Sequence, residues 1–315
     1  MSREVISTRR VKKSGIDLPR KTKKRIRDVP STPRAQAVSS SVNNQHTPLN
    51  RDNPIASTLW RGPQLRAARN GTRLHVSDLI GKCMRMKALS HLRKVPLPAQ
   101  QLWDAQRITF DIGETIGNFV VNKAMENDGR IFGSWGCHCA EQKTTANCTR
   151  AEALDSPACP DCGHKYDRYL EVDLYHEELM LAGHADLGMM WDEYVYLTEV
   201  KSANANTMQD YENRPNREHV LQLIFYYWLA LQQGIRVHTT GSVLYVRKEW
   251  MIGSPYVEHQ INLEEEVHLL EPYLEEARQY TEAMKGGALP TRTVCDTPYE
   301  TRATKCMLCM ECFKD

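Results

Sequence analysis

No stretch of this 315-residue sequence is long and apolar enough to span a bilayer. The longest apolar run, Val220 to Leu231, is interrupted by Gln222. The first residues lack the apolar core of a secretory leader. Together these absences predict an intracellular, cytoplasmic protein and exclude membrane-embedded function classes. A surplus of one charge sign is also missing, since 41 Lys and Arg face 39 Asp and Glu, for a net charge of +2. The 25% charged and 41% hydrophobic content is that of a soluble chain able to bury one large core or two modest ones.

The near-zero balance hides an asymmetry. Arg9, Arg10, Lys12, Lys13, Arg20, Lys21, Lys23, Lys24, Arg25 and Arg27 make the N-terminus strongly basic. Residues 1–72 are then rich in Ser, Pro, Asn and Thr with little apolar periodicity, so this tail is expected to be largely disordered in isolation. Lys23, Lys24 and Arg25 would neutralise nucleic-acid phosphates, or the tail is a solubilising or partner-docking arm.

Cysteine is abundant, at ten residues. In a reducing compartment, metal sites explain such clusters better than disulfides do. Cys83 stands alone, five cysteines lie between Cys137 and Cys162, and four between Cys295 and Cys312. The segment from Gly133 to Tyr166 is poor in aliphatics. It contains Cys137-His138-Cys139, Cys148 and Cys159-Pro160-Asp161-Cys162-Gly163-His164. The Cys-Pro-x-Cys-Gly turn is a metal knuckle, because the glycine lets backbone amides point at the sulfurs. Cys137 and Cys139 supply the second pair of a four-thiolate zinc site, with Cys148, His138 and His164 as competing ligands. At the C-terminus, Cys295, Cys306, Cys309 and Cys312 predict a second soft-metal site, zinc or iron–sulfur.

Order is expected to start at Ser77, an N-cap for a helix over 78–85 that contains Cys83. A second helix spans about 98–127, with Phe110, Ile112, Ile116, Phe119, Val120 and Met125 as its apolar positions. Gly113 and Gly117 permit close approach on one face, and Glu114 between them points toward a site. Strands follow at 169–175, 179–187 and 194–202, then a polar loop over 203–217. A helix from about 218 to 233 carries core-like Val220, Leu223, Ile224, Tyr227 and Leu231. His219, Gln222 and Tyr226 form a polar stripe on it. Strands at 241–248 and 256–261 precede one long helix to Lys285, capped by Asn262. This order predicts an α/β core with a mixed central sheet flanked by helices.

The stretch Gly183 to Lys201 carries the chemistry. Two apolar runs flank a polar tip, Trp191-Asp192-Glu193. If they pair antiparallel, Asp186 faces the Glu199-Val200-Lys201 end of its partner. Two carboxylates and an ammonium at one sheet edge suit Mg²⁺ or Mn²⁺ and the handling of a phosphodiester.

Gly183-x-x-Asp186, then Glu199-x-Lys201, then Gln222-x-x-x-Tyr226 resemble, in that order, the PD-(D/E)XK nuclease superfamily, specifically its RecB-like exonuclease branch. The resemblance covers roughly residues 77 to 315. It implies a restriction-endonuclease-like core over 73–315, with an inserted zinc knuckle at 134–166 and an iron–sulfur segment at 290–315. It further implies an Mg²⁺- or Mn²⁺-dependent DNA nuclease of recombination, repair or replication, working on DNA ends. Helicase, single-strand-binding or recombinase proteins would be its partners. Asp186, Glu199 and the Val200 carbonyl would hold the metal. Lys201 would position and help deprotonate the attacking water, and Gln222 and Tyr226 would orient the lysine or a phosphate. Arg247 and Lys248 would track the strand backbone. The AddB and CRISPR-associated type also implies a 4Fe-4S cluster on Cys83, Cys295, Cys306 and Cys312, with Cys309 the alternative to Cys295. An inserted cysteine knuckle is similar to that of some bacteriophage members. One departure is plain: the family pattern G-x-x-x-H reads Gly113 to Gly117 here, so either Glu114 substitutes as a ligand or the site holds its metal with fewer side chains. The alternative is a catalytically weak DNA-binding or scaffold protein on the same fold.

Overall fold

The computed structural model describes residues 64–66, 72–95, 100–102, 104–127, 129–139, 143–249, 254–292 and 295–314. They fall in one compact unit, Arg51–Asp315. Lys23, Lys24 and Arg25 lie outside the described residues.

The chain runs β1 (Gln64–Arg66), β2 (Leu74–His75), α1 (Val76–Gly81), α2 (Met84–Leu92), β3 (Gln100–Leu102), α3 (Asp104–Asn127), β4 (Ile131–Gly136), β5 (Cys148–Thr149) and α4 (Arg150–Asp155). It continues with β6 (Arg168–His176), β7 (Leu181–Ala185), β8 (Leu187–Trp191), β9 (Tyr194–Ala203), α5 (Ala205–Asn213), α6 (Arg217–Gln232), β10 (Thr240–Arg247) and β11 (Tyr256–Asn262). It closes with α7 (Leu263–Glu266), a 3-10 turn (Val267–Leu270), α8 (Glu271–Gly286), α9 (Thr301–Thr304) and α10 (Cys309–Cys312). β1 pairs with β3. The main sheet has the order β11-β10-β9-β8-β4-β6-β7-β2, with β5 added beside β4. β9/β10 and β2/β7 are parallel and the other neighbours antiparallel. A mixed sheet flanked by helices was expected and is found.

The main core is built on α6, whose Leu223, Ile224 and Phe225 are fully buried. It joins residues of α1, α8 and strands β6, β7, β9 and β10. A smaller core gathers Ile131, Trp135, Ala153 and Leu187 against Val121, Ala124 and Met125 of α3. The consecutive buried residues Leu197 to Val200 of β9 fit a strand packed on both faces.

Several boundaries differ from the sequence reading. The first helix is two: α1 ends at Gly81, Lys82 is extended, and Cys83 is the N-cap of α2 rather than a residue inside a helix. Ser77 lies within α1, after His75 at the N-cap. The next helix begins at Asp104, because residues 100–102 are taken by the β1 pairing. On α3, Ile112, Phe110 and Phe119 are exposed rather than buried. Gly113 makes a close approach to the sheet: a Cβ there would stand 3.1 Å from Ser202 Oγ of β9. The 203–217 loop holds α5, capped by the Asn204 side chain accepting from the Thr207 amide. The long C-terminal helix is interrupted at the 3-10 turn and restarts with Pro272 in its first turn, where the ring's missing N–H costs nothing.

Candidate metal and nuclease site

The expected strand over 179–187 is split, and the split makes the site. β7 pairs with β6 up to Ala185, opposite Val172, while β8 pairs with β9 from Leu187, opposite Thr198. Asp186 occupies the step where the chain changes partner. Beyond Leu187 the β8/β9 ladder ends, and the Val200 amide that would have continued it donates instead to Asp186 Oδ2 at 2.7 Å. A residue's N–H and C=O point to one side of an extended strand, so the Val200 carbonyl faces the same break. The tip of the β8–β9 hairpin turns at Asp192, with φ +54, a conformation aspartate tolerates.

Glu199 and Lys201 rise from one face of β9. Glu199 is 1% exposed and its Oε1 is ion-paired with Lys201 Nζ. Its second oxygen, Oε2, is buried without a hydrogen-bond partner among the described residues. Burial, then the Asp186 charge, push the Glu199 carboxyl up to about 8 against the pull of Lys201. Burial also raises Asp186, opposed by Lys201, the Val200 amide and a hydrogen bond with Glu199. For Lys201, burial favours the neutral amine, but the carboxylates of Glu199, Asp186 and Glu171 outweigh it and the net shift is upward. The lysine is therefore an ammonium among three acids.

Glu171 was not singled out from sequence. It sits at the irregularity where β4 meets β6, with φ +106, a strained backbone for a residue with a side chain. Its carboxylate lies 3.8 Å from His184 Nδ1, whose Nε2 pairs with Asp173 at 3.2 Å. The unexpected backbone is the only local signal, and it is invisible in sequence.

Helix α6 supplies the wall. Asn216 caps it by accepting from the Glu218 amide. Tyr226 is 7% exposed, and its ring lies so close to Gly183 that a Cβ there would meet it at 2.8 and 3.0 Å. The glycine three residues before the acid is thus what lets the tyrosine lie on β7. Gln222, one turn earlier, has Oε1 buried without a partner among the described residues. His219, another turn back, is near enough to Lys201 to feel its charge. The stripe therefore runs from Lys201 to Gly183 across the sheet.

Other expected residues stand apart. Glu114 is exposed, and a Cβ at Gly117 would meet nothing within 4 Å. Arg247 is ion-paired with Glu212 and donates to the Ser254 carbonyl at 3.2 Å; Lys248 Nζ donates to the Thr109 carbonyl at 3.3 Å.

The knuckle brings Cys137, Cys139, Cys159 and Cys162 together, with all four sulfurs within 4.8 Å of one another. The Cys159 thiol is pulled down to about 6: burial opposes this, but amides of Asp161 and Cys162 and neighbouring thiols outweigh it. Gly163 takes φ +69 to complete the turn. Cys148 and His138 are outside this group; Cys148 Sγ contacts Thr145 Oγ1 at 3.7 Å, and His138 pairs with Asp167 at 2.7 Å. His164 is exposed and edge-on to His138. At the C-terminus, burial raises the thiols of Cys295 and Cys306, and Cys83, Cys312 and Cys309 each add to both shifts. Arg85 Nε donates to Cys312 Sγ at 3.3 Å, while Cys309 Sγ donates to the Pro298 carbonyl at 3.7 Å. Cys83 is thereby brought among the four late cysteines, although 227 residues separate Arg85 from Cys312.

No protein-family model and no curated protein matches the chain. Among solved structures it is similar to the alkaline exonuclease LHK-Exo from Laribacter hongkongensis. The crystal structure with dAMP is 13% identical at a TM-score of 0.37, covering 69% of this chain and 93% of that one. A second structure of the same exonuclease, also 13% identical at 0.37, covers 68% and 92%. Likeness at this level leaves the chemistry to be argued from the chain's own residues. Among the described residues, no helix is long and apolar enough to cross a membrane.

Proposed function

We propose that the chain is a divalent-metal-dependent DNA nuclease, acting on ends as an exonuclease, with its centre at Asp186, Glu199, Lys201 and the Val200 carbonyl. The observation that carries this reading is the orphaned Glu199 Oε2, buried beside Asp186 at a strand break that also turns a carbonyl toward it. A buried carboxyl oxygen without a partner is costly, and a hard cation beside it would let both acids ionise and would satisfy it. Such a cation supplies Lewis acidity to a phosphodiester oxygen and acidifies a water.

The protein's own groups do the rest. Asp186 and Glu199, both raised by burial, would hold the cation as carboxylates. Lys201 acts as an ammonium, so its part is to orient the water and offset charge on the phosphate, not to accept the water's proton. Gln222 and Tyr226 hold the wall against which the phosphate rests. Arg247, spent in part on Glu212, is a weaker backbone contact than its sequence suggests. Cys137, Cys139, Cys159 and Cys162 are assigned to zinc. Cys83, Cys295, Cys306 and Cys312 are assigned to a 4Fe-4S cluster, whose thiolates stand further apart than those around one ion. The Cys309 contact with Pro298 favours Cys295 as the third late ligand.

A second reading rests on Gly117, which puts no side chain where the family has a ligand: a DNA-binding protein with weak catalysis. End-labelled single- and double-stranded DNA with Mg²⁺ or Mn²⁺ separates the two. The nuclease reading expects shortening of the label by wild type and none by Asp186→Ala or Lys201→Ala. Binding without cleavage by wild type would sink it.

A further inference from the structure

His219 belongs to none of the motif positions, yet its surroundings are closely specified. Its Nδ1 lies 3.0 Å from the Tyr245 hydroxyl. Tyr245 is fully buried on β10, opposite Lys201 in the parallel β9/β10 register, so the two side chains rise from one face. Tyr211 stacks on the Tyr245 ring with centroids 4.1 Å apart, and the His259 ring meets it edge-on while His259 Nε2 donates to the Tyr211 carbonyl at 2.6 Å. The phenol cannot swing away.

The hydrogen bonds fix where the proton sits. The Asn216 amide donates to the Tyr245 oxygen at 2.9 Å. That oxygen is thus an acceptor from the backbone, and with no other acceptor for it among the described residues its single proton goes to His219 Nδ1. Nδ1 is then the acceptor nitrogen, and a neutral ring must carry its proton on Nε2. Burial and the nearby Lys201 ammonium both oppose a second proton on the ring. Nε2 has no hydrogen-bond partner among the described residues, on the same stripe of α6 as Gln222 and Tyr226.

We propose that His219 is a substrate-contacting residue of this centre: Tyr245 holds it as the neutral Nε2–H tautomer, and that N–H donates to a phosphate oxygen of DNA beside Lys201. This deepens the nuclease reading and rests on it for the identity of the ligand. A neutral donor suits the position, because a second cation next to Lys201 would be self-repelling. Since the imidazole is not protonated, it serves as a hydrogen-bond donor and not as the acid that protonates the leaving oxygen.

The test uses the full chain. Two-bond ¹H–¹⁵N correlation spectra of wild type at neutral pH are expected to show His219 as the Nε2–H tautomer, and Tyr245→Phe to show a tautomer mixture. In cleavage, His219→Phe is expected to lower kcat/KM by about 10- to 100-fold, the worth of one hydrogen bond to a charged group. His219→Gln, whose amide places a donor near the Nε2 position, is expected to recover most of that loss. An imidazolium or Nδ1–H signal in wild type overturns the proposal, as does His219→Phe with wild-type kcat/KM. Equal damage from folded Gln and Phe variants would also overturn it, by reducing His219 to a packing role. Should wild type fail to cleave at all, the nuclease reading falls separately. Binding of a 5′-phosphorylated oligonucleotide in Ca²⁺ then decides: about tenfold weakening by His219→Phe upholds the contact, and unchanged affinity overturns it.

Discussion

Asp186 accepts the Val200 amide at 2.7 Å, so one carboxylate both terminates the β8/β9 ladder and faces the candidate cation position. The two roles separate by mutation. Asp186→Asn keeps an acceptor for the amide and loses the charge; Asp186→Ala loses both. Urea denaturation is expected to show Asp186→Ala less stable by about 1–3 kcal/mol, with Asp186→Asn closer to wild type. Added Mn²⁺ should raise the melting temperature of wild type and of neither variant.

Glu199 gives a pH dependence with a definite sign. Folding raises its carboxyl from 4.5 to about 8, so the folded state binds this proton more tightly than the unfolded chain. The contribution is complete below pH 4.5 and is lost as pH climbs through about 8. Lys201→Met removes the opposing charge. Its stability deficit against wild type should therefore widen as pH rises, in denaturation curves taken between pH 5 and 9, roughly the span of the shift.

Asp78 has the opposite sign. It is 4% exposed and held by Lys82 at 2.6 Å and Lys87 at 2.7 Å, which overcome its burial and lower it from 3.8 to about 2. Its stabilisation, about 2 kcal/mol, is present above pH 3.8 and disappears as pH falls through about 2. Asp78→Asn should remove that acid-sensitive component, and acid titration of stability in the two proteins reads it directly.

The knuckle predicts which cysteines matter for zinc. Metal analysis of Cys159→Ser is expected to show one zinc fewer per chain than wild type, with a melting temperature lower by about 5 °C. Cys148→Ser should retain the metal, since Cys148 lies outside the sulfur group.

Gly183→Ala tests the contact between two motif elements. The new Cβ would meet the Tyr226 ring at 2.8 Å and Val76 at 3.0 Å. Overpacking there should cost about 1–3 kcal/mol in denaturation and reduce cleavage by displacing Tyr226.

Much of the candidate site was legible because its signals are local or ordered along the chain. Alternation in Tyr194 to Ala203, the turn at Asp192 and the polar stripe on α6 need no knowledge of distant partners. The cysteine pairs were equally readable, since thiolate spacing within a knuckle is short. On α3 the apolar positions do not all mark the buried face: Phe110, Ile112 and Phe119 are exposed, while Val121, Ala124 and Met125 join the smaller core and Gly113 lies against Ser202. The long C-terminal helix misled because Asn262 is a true cap, whereas Pro272 allows a helix to restart as readily as it ends one.

The order Asp186, Glu199-x-Lys201, Gln222-x-x-x-Tyr226 and the grouping of Cys137 and Cys139 with Cys159 and Cys162 came from the sequence by itself, through residue type and spacing. Tertiary structure alone decided that a single expected strand breaks at Asp186, that the Glu171 charge is felt at Lys201, and that Tyr245 sets the proton on His219. Those three depend on which strands lie side by side, and pairing partners are chosen by the whole sheet and its core, not by the residues at the break.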